Sequence, residues 1–303
     1  MSEENRTHRL EDLGEEALVD HLIRMIPVAP GVVVGPGDDC AVVDLKNGLW
    51  QLLKTDCLIE GVHFEPGTDP VLVGRKAMNR VISDIAAMGG EPQHALVTLV
   101  MDSQRSLADV EGWYEGMIAA AACAGCGVVG GETSRLPLRG AVISISMTGV
   151  VTPGQCIFRS GASAGDLIAV TGRLGGSLMS GRHLTFTPRL KEARWLVANA
   201  KPTAMMDLSD GLGSDLPRLA RASGGGYRVE SGNIPCHAGV TVEQAVSDGE
   251  DYELLLTCAP SDFREIRQEW ERNFPETPLT VIGEITAGTV DPLPRGWEHY
   301  RNE

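Results

Sequence analysis

No apolar stretch in this 303-residue chain approaches the ~18 residues that a membrane-spanning helix needs. The opening residues, MSEENRTHRLEDLGEE, lack the apolar core of a secretory signal. Positive charge is scarce: 26 Lys and Arg stand against 41 Asp and Glu, a net charge of −15. That balance argues against nucleic acid or an anionic membrane as the main partner, since both select a basic surface. The seven cysteines are odd in number and follow no framework spacing, as expected of a reduced, cytoplasmic protein. No GxxxxGK(S/T) occurs, which excludes a Walker-type phosphate cradle. Two weaker patterns fail on context. Gly125 to Gly130 fits GxGxxG, but a helix precedes it and a strand follows, the reverse of the dinucleotide fingerprint. Cys123 and Cys126 form one CxxC pair at the end of an Ala-rich helix, and without a second pair they read as core thiols.

What the chain does have is glycine, 36 residues, and enough apolar residues (43%) to bury a core. Residues 11–26 carry apolar side chains at helical spacing and stop at Pro27. A Gly-Pro-Gly-Asp-Asp turn at 35–39 leads into CAVVDL and WQLLKTD, two strand-like runs. Helices are expected over 69–88 and 106–124, and strands over 94–101, VVGGET and the alternating 141–151. After Pro153-Gly154 the pattern restarts, with strands at DLIAVTG, YELLLT and LTVIGEI and helices near 188–198, 213–223 and 261–273. The expected class is α+β, with two α/β domains at 1–153 and 154–303.

The placement of acids is the strongest signal. Asp56 and Asp207 each end an apolar strand-like run, and Asp210 follows just before a helix. Asp84 sits near a helix C-terminus, where the helix dipole disfavours a carboxylate unless a cation compensates. Asp38 and Asp39 share a glycine turn, and Glu132 follows a glycine pair. Singly, Asp38 and Asp210 are ordinary turn formers or caps. If the acids converge, their repulsion calls for hard divalent cations, and many acids with Mg²⁺ imply several ions around a polyphosphate. The residues alone therefore point to a Mg²⁺-polyphosphate enzyme built without a Walker loop.

Eight stretches in order extend this reading: GPGDDCAVV (35–43), KTDCLIEGVHF (54–64), SDIAAMGG (83–90), GGETSR (130–135), FRSGASAGD (158–166), MDLSDGL (206–212), GEDYELLLT (249–257) and GWEHY (296–300). Together they resemble the thiamine-monophosphate kinases of the aminoimidazole ribonucleotide synthetase superfamily. The resemblance implies a homodimer that pairs its N-terminal sheets, a C-terminal mixed sheet with flanking helices, and an ATP cleft that the C-terminal domain completes. It implies a transferase: ATP- and Mg²⁺-dependent phosphorylation of thiamine monophosphate to thiamine diphosphate by direct in-line transfer. It further implies Asp39, Thr55, Asp56, Asp84, Glu132, Asp207 and Asp210 as metal ligands. Gly131, Arg159 and Ser209 would contact ATP, and His63, Glu250 and Trp297 the thiamine phosphate. No general base is expected, because an acceptor phosphate with a second pKa near ~6 is already largely ionised.

Three features depart from the family pattern. Glu132 stands in place of Asp, Lys54 in place of a Ser that can ligate metal, and the segment 171–189 is short. They keep open a different acceptor for a related ATP-using kinase or synthetase, or a catalytically impaired nucleotide-binding homologue.

Overall fold

A computed structural model describes residues 9–298 and 300, so His299 of GWEHY and residues 1–8 lie outside the described residues. The chain opens with two short helices, α1 (Leu10–Leu13) and α2 (Glu15–Ile23). The single helix expected over 11–26 is split because Gly14 takes φ 77°, outside helical space. The next segment builds a six-stranded sheet from β1 (Val32–Val34), β2 (Ala41–Asp44), β3 (Trp50–Ile59), β4 (Glu91–Met101), β5 (Gly127–Arg135) and β6 (Ala141–Val151), in the order β1-β2-β3-β6-β4-β5. Only β4 and β5 run parallel among its ladders.

Helices α3 (Pro70–Ala87) and α4 (Leu107–Ala124) cover one face of this sheet. Local chemistry sets their ends. Asp69 accepts the Val71 amide at 2.9 Å with Pro70 in the first turn, and Ser106 accepts the Asp109 amide at 3.0 Å. Gly125 closes α4 in the left-handed region at φ 77°. The two helices approach to backbone contact: a Cβ on Gly116 would lie 2.0 Å from the Val71 carbonyl oxygen, and one on Gly74 2.0 Å from that of Trp113. Among the described residues no helix covers the opposite face of the sheet, which exposes Leu53, Leu96 and Val129.

The second half contains β7 (Leu167–Thr171), α5 (Ser177–Ser180), a 3₁₀ turn (Arg182–Leu184), α6 (Leu190–Asn199), β8 (Ala204–Asp207) and α7 (Leu212–Ala222). It continues through β9 (Gly226–Val229), a 3₁₀ turn (Ser231–Asn233), α8 (Val242–Ser247), β10 (Leu254–Cys258), α9 (Pro260–Asn273) and β11 (Leu279–Thr286). Its sheet runs β8-β10-β7-β11-β9. All four ladders are antiparallel, which corrects the mixed sheet expected from the resemblance. Neighbouring strands here arrive from opposite ends, so no parallel crossover is needed. Helices α7 and α8 pack on one face and α6 and α9 on the other. Ala86 and Ala87, at the end of α3, belong to the α6/α9 core. The C-terminal end of α3 is thereby wedged between the two sheets. Strand β10 begins at Leu254, later than the expected YELLLT strand, because Glu250 (φ 58°) and Tyr252 (φ 52°) put left-handed turns just before it.

Because α3 and α4 touch through backbone, Gly116→Val should cost about 3 kcal/mol of stability. Urea denaturation followed by circular dichroism checks this; a loss within ~0.5 kcal/mol would contradict the close packing.

Candidate active site

Three carboxylates from distant segments meet where the sheets adjoin. Asp39 comes from the glycine turn before β2, Asp84 from α3 and Asp207 from the end of β8. All three are buried, and ligand oxygens of the three lie within 4.8 Å of one another. Two protein cations partly compensate them. Lys54 Nζ lies 2.6 Å from Asp84 Oδ1, and the Arg159 guanidinium pairs with Asp39 Oδ1. Ser83 donates its hydroxyl to Asp207 Oδ2 at 2.6 Å.

The compensation is incomplete. Burial pushes the Asp84 carboxyl well up; Lys54 pulls it back, and the Asp207 and Asp39 charges push it further. Burial and then the Asp39 charge push Asp207 to about 6. Burial works against the charge on Lys54, but Asp84 and then Asp56 more than offset it and hold the ammonium above its usual range. The partners of this pair thus lean in opposite senses. A carboxyl 2.6 Å from an ammonium is the ionised partner of that contact, and the upward push on Asp84 reports its burial first and its crowding by two further acids second. Asp39 Oδ2 is buried and has no hydrogen-bond partner among the described residues. A buried oxygen cluster with an open acceptor fits a hard divalent cation, Mg²⁺ before a soft metal.

A second polar cluster lies one turn further up α3. Arg80 pairs with Asp56 at 2.8 Å and approaches Glu250 Oε1 at 3.8 Å. Lys76, fully buried, contacts the Glu250 carboxylate and donates to the His63 carbonyl and to His183 Nδ1, each at 2.7 Å. Burial would raise the Glu250 carboxyl, but His183, Lys76 and Arg80 together hold it at about 2. His183 Nδ1 is 3.5 Å from Glu250 Oε2, so the two cations supply most of that pull. Lys76 is itself pulled down by its burial, with Glu250 acting against this. The pair is ionised because Lys76 contacts the carboxylate directly and Arg80, held by Asp56, adds positive charge beside it. His63 Nδ1 accepts the Ile59 amide at 3.0 Å, and burial and then Arg80 push the ring down to about 4, so it is neutral near pH 7.

The remaining expected ligands fall elsewhere. Thr55 is exposed and shares a hydrogen bond with Ser146 at 3.1 Å. Glu132 is exposed on β5 and accepts from Ser134 at 3.2 Å. The registers put both on the bare face of the first sheet, away from the three acids, so one chain does not gather all seven expected ligands. A Cβ at Gly131 would lie 1.9 Å from the Val97 carbonyl oxygen, so strand contact alone demands glycine there. Asp210 pairs with Arg218, and its carbonyl accepts the Trp297 amide at 2.8 Å. Ser209, an expected ATP contact, lies just before α7, but its amide and that of Asp210 are not open to a phosphate. Both instead donate to buried Asp215 Oδ2 at 3.1 Å, because that carboxylate folds back from the first turn of α7. Trp297 is 44% exposed and opens onto a hollow with Arg218 and Tyr227.

Lys76, Arg80, Ser83 and His183 were missed by the sequence reading. The first three were findable, since with Asp84 they fall at i, i+4, i+7 and i+8 on one stripe of α3. His183 had no local signal.

Two family models match the chain: AIR synthase related protein, N-terminal domain, over residues 37–151, and its C-terminal domain over 160–292. A thiamine-monophosphate kinase of Rhodopirellula baltica is 35% identical over 294 residues, covering 91% of this chain and 90% of that relative. The chain belongs to the thiamine-monophosphate kinase family. A family member from Bacillus subtilis is 31% identical, covering 85% of this chain and 87% of that protein. The solved structure of AaThiL complexed with AMPPCP and TMP superposes with a TM-score of 0.83 at 31% identity, covering 97% of this chain and 99% of that one. The hydrogenase maturation protein HypE in complex with ATP shares the fold, with a TM-score of 0.66 at 19% identity over 82% of this chain and 81% of that one.

The lowered Glu250 carboxyl has a definite pH signature. Its stabilisation is complete above its unfolded value of 4.5 and is lost as pH falls toward about 2, a span worth roughly 3 kcal/mol. The stability difference between the unmodified chain and Glu250→Gln, from denaturant titrations, should therefore shrink steadily between pH 5 and about pH 3. A constant difference would mean that the carboxylate is not ion-paired.

Proposed function

We propose that this chain is an ATP- and Mg²⁺-dependent kinase that converts thiamine monophosphate to thiamine diphosphate by direct in-line transfer. The buried Asp39–Asp84–Asp207 cluster, with its unpartnered Asp39 oxygen, carries the reading. The family supplies the acceptor, and its member AaThiL was solved with AMPPCP, an ATP analogue, and TMP. Neither a different acceptor nor an impaired homologue draws support from these relatives. The short 171–189 segment is not an open gap: Arg75 donates to the Thr185 carbonyl at 3.1 Å and Asn79 to that of Phe186 at 2.8 Å, docking it on α3.

Asp39, Asp84 and Asp207 would hold Mg²⁺; Asp56, paired with Arg80, and Asp210, paired with Arg218, remain proposed ligands for further ions together with Thr55 and Glu132. Bound there, the metal supplies electrostatic neutralisation of phosphate oxygens. The protein's own part is positioning. Arg159 holds a guanidinium against Asp39, a group suited to phosphate contact, and Gly131 and Ser209 remain proposed ATP contacts. His63 and Glu250 shape the acceptor side, and Trp297 offers a ring face to the cationic thiazolium. No group has to remove a proton from the acceptor phosphate. His63 is committed to the Ile59 amide and Glu250 to Lys76, so neither stands ready as a base.

We further propose that the halves 1–153 and 154–303 act as two domains and that the protein works as a cytoplasmic homodimer. The helix-free face of the first sheet supports pairing: Leu53 (40%), Leu96 (51%) and Val129 (59%) are exposed around a hollow of about 510 Å³.

Incubation with ATP, Mg²⁺ and thiamine monophosphate should yield thiamine diphosphate and ADP, and Asp207→Asn should lower kcat by at least about 100-fold. No product over a wide Mg²⁺ range would reject the assignment. Separately, Leu96→Glu should turn the dimer into a folded monomer by size-exclusion chromatography with light scattering; an unchanged mass would place the interface elsewhere.

A further inference from the structure

Asp84 is awkwardly placed. It lies in the last turn of α3, at the negative end of the helix dipole, and that turn contains no basic residue. Two other acids crowd it within 4.8 Å. Among the described residues its one ion-pair partner comes from a different element, Lys54 of β3, at 2.6 Å. The other two acids are served differently, Asp39 by Arg159 and Asp207 by the Ser83 hydroxyl. An ammonium has no lone pair and cannot ligate a metal, but it delivers positive charge to a carboxylate oxygen that a metal would otherwise take.

We propose that Lys54 is a built-in cation of the acid cluster, holding on Asp84 the place of one divalent ion. The chain therefore binds about one ion fewer at Asp39, Asp84 and Asp207 than it would with a small neutral residue at position 54. Asp39 Oδ2, buried and unpartnered, is the acceptor left open for the ion that remains. Lys54 is thus a positioning residue. It fixes Asp84 and sets the number of metal ions without touching the transferred group. This deepens the kinase reading but rests only on its metal-binding part.

The test is Mn²⁺ binding to the full chain without ATP or thiamine monophosphate, by electron paramagnetic resonance of the free ion, paired with thermal melts. Lys54→Ser should bind about one more Mn²⁺ per chain. In EDTA it should melt lower by roughly 5 °C or more, with the loss restored by Mn²⁺. Lys54→Arg keeps the charge and should behave as the unmodified chain in both measurements. Lys54→Gln, bulky and neutral, covers the case in which the serine variant does not fold; its Mn²⁺ affinity should rise by about tenfold. An ordinary structural ion pair predicts something else: unchanged Mn²⁺ count and affinity in the folded variants, with a melting loss that Mn²⁺ does not repair. That result would overturn the proposal. Neither substrate is present, so an inactive kinase leaves a positive result standing, and an active one does not rescue a negative result.

Discussion

Repulsion among three buried carboxylates is the constraint on which this architecture turns. Asp39, Asp84 and Asp207 come from a turn, a helix end and a strand end separated by much of the chain, and their oxygens share a space less than 5 Å across. Removal from water raises the cost of each charge, and proximity raises it again. The fold answers with Lys54 and Arg159, drawn from β3 and from the segment that joins the two sheets. Two cations against three anions leave a deficit, and an oxygen of Asp39 without a partner marks where it is felt. The site is stable enough to form and still needs a cation.

Helix α3 makes the arrangement possible, and it serves two clusters of opposite character. Near its C-terminal end, Asp84 stands among acids that outnumber their cations. One to two turns earlier, Lys76 pairs with Glu250 and Arg80 lies between Asp56 and Glu250, so each carboxylate there has a cation. Breaking a buried pair by removing one partner typically costs about 3–5 kcal/mol, so such a pair locks geometry more than it adds stability. Here the lock joins the halves of the molecule, because Glu250 and His183 belong to the second half and Lys76 and Arg80 to the first. Phe186 stacks on Tyr252 with centroids 4.0 Å apart within the second half, and its carbonyl accepts from Asn79 of α3 across the junction. The left-handed backbone at Glu250 and Tyr252 is strain of the kind found where a side chain must be aimed rather than merely accommodated.

How far these features could be read from the sequence depended on whether their cause was local. Helices α3 and α4 and strand β6 were legible, because caps, glycine stops and strict alternation act within a few residues. Asp84 and Asp207 stood out as charges at the ends of apolar runs. The break in the first helix was harder, since Gly14 disrupts it without erasing the apolar spacing. Strand β9 and helix α8 are short and take their stability from packing on the second sheet, which no window of sequence contains. The role of Asp215 was hidden for a similar reason: it reads as an ordinary acid in a helix's first turn until the fold shows it holding the amides of Ser209 and Asp210. His183 was invisible because its partner lies more than a hundred residues away.

The position of Thr55 and Glu132 bears on how the molecule would complete its site. Strand alternation forces Thr55 to the face opposite Lys54 and Asp56, and no rotamer change can bring it round. Glu132 sits on the same outward face, one row along, across β6 and β4. A polyphosphate gripped by the three buried acids could meet these two groups only over the rim of the sheet, or where a second copy covers that face. The outward face has the composition such a cover needs: Leu53, Leu96 and Val129 supply apolar area, while Thr55, Ser146 and Thr148 supply hydroxyls between them. The metal binding proposed at Glu132 and the proposed sheet pairing would therefore be linked on physical grounds. If two copies close over this face, the longer side chain of Glu132 works in a confined and partly dehydrated space, where a carboxylate holds a cation far better than it does in open water.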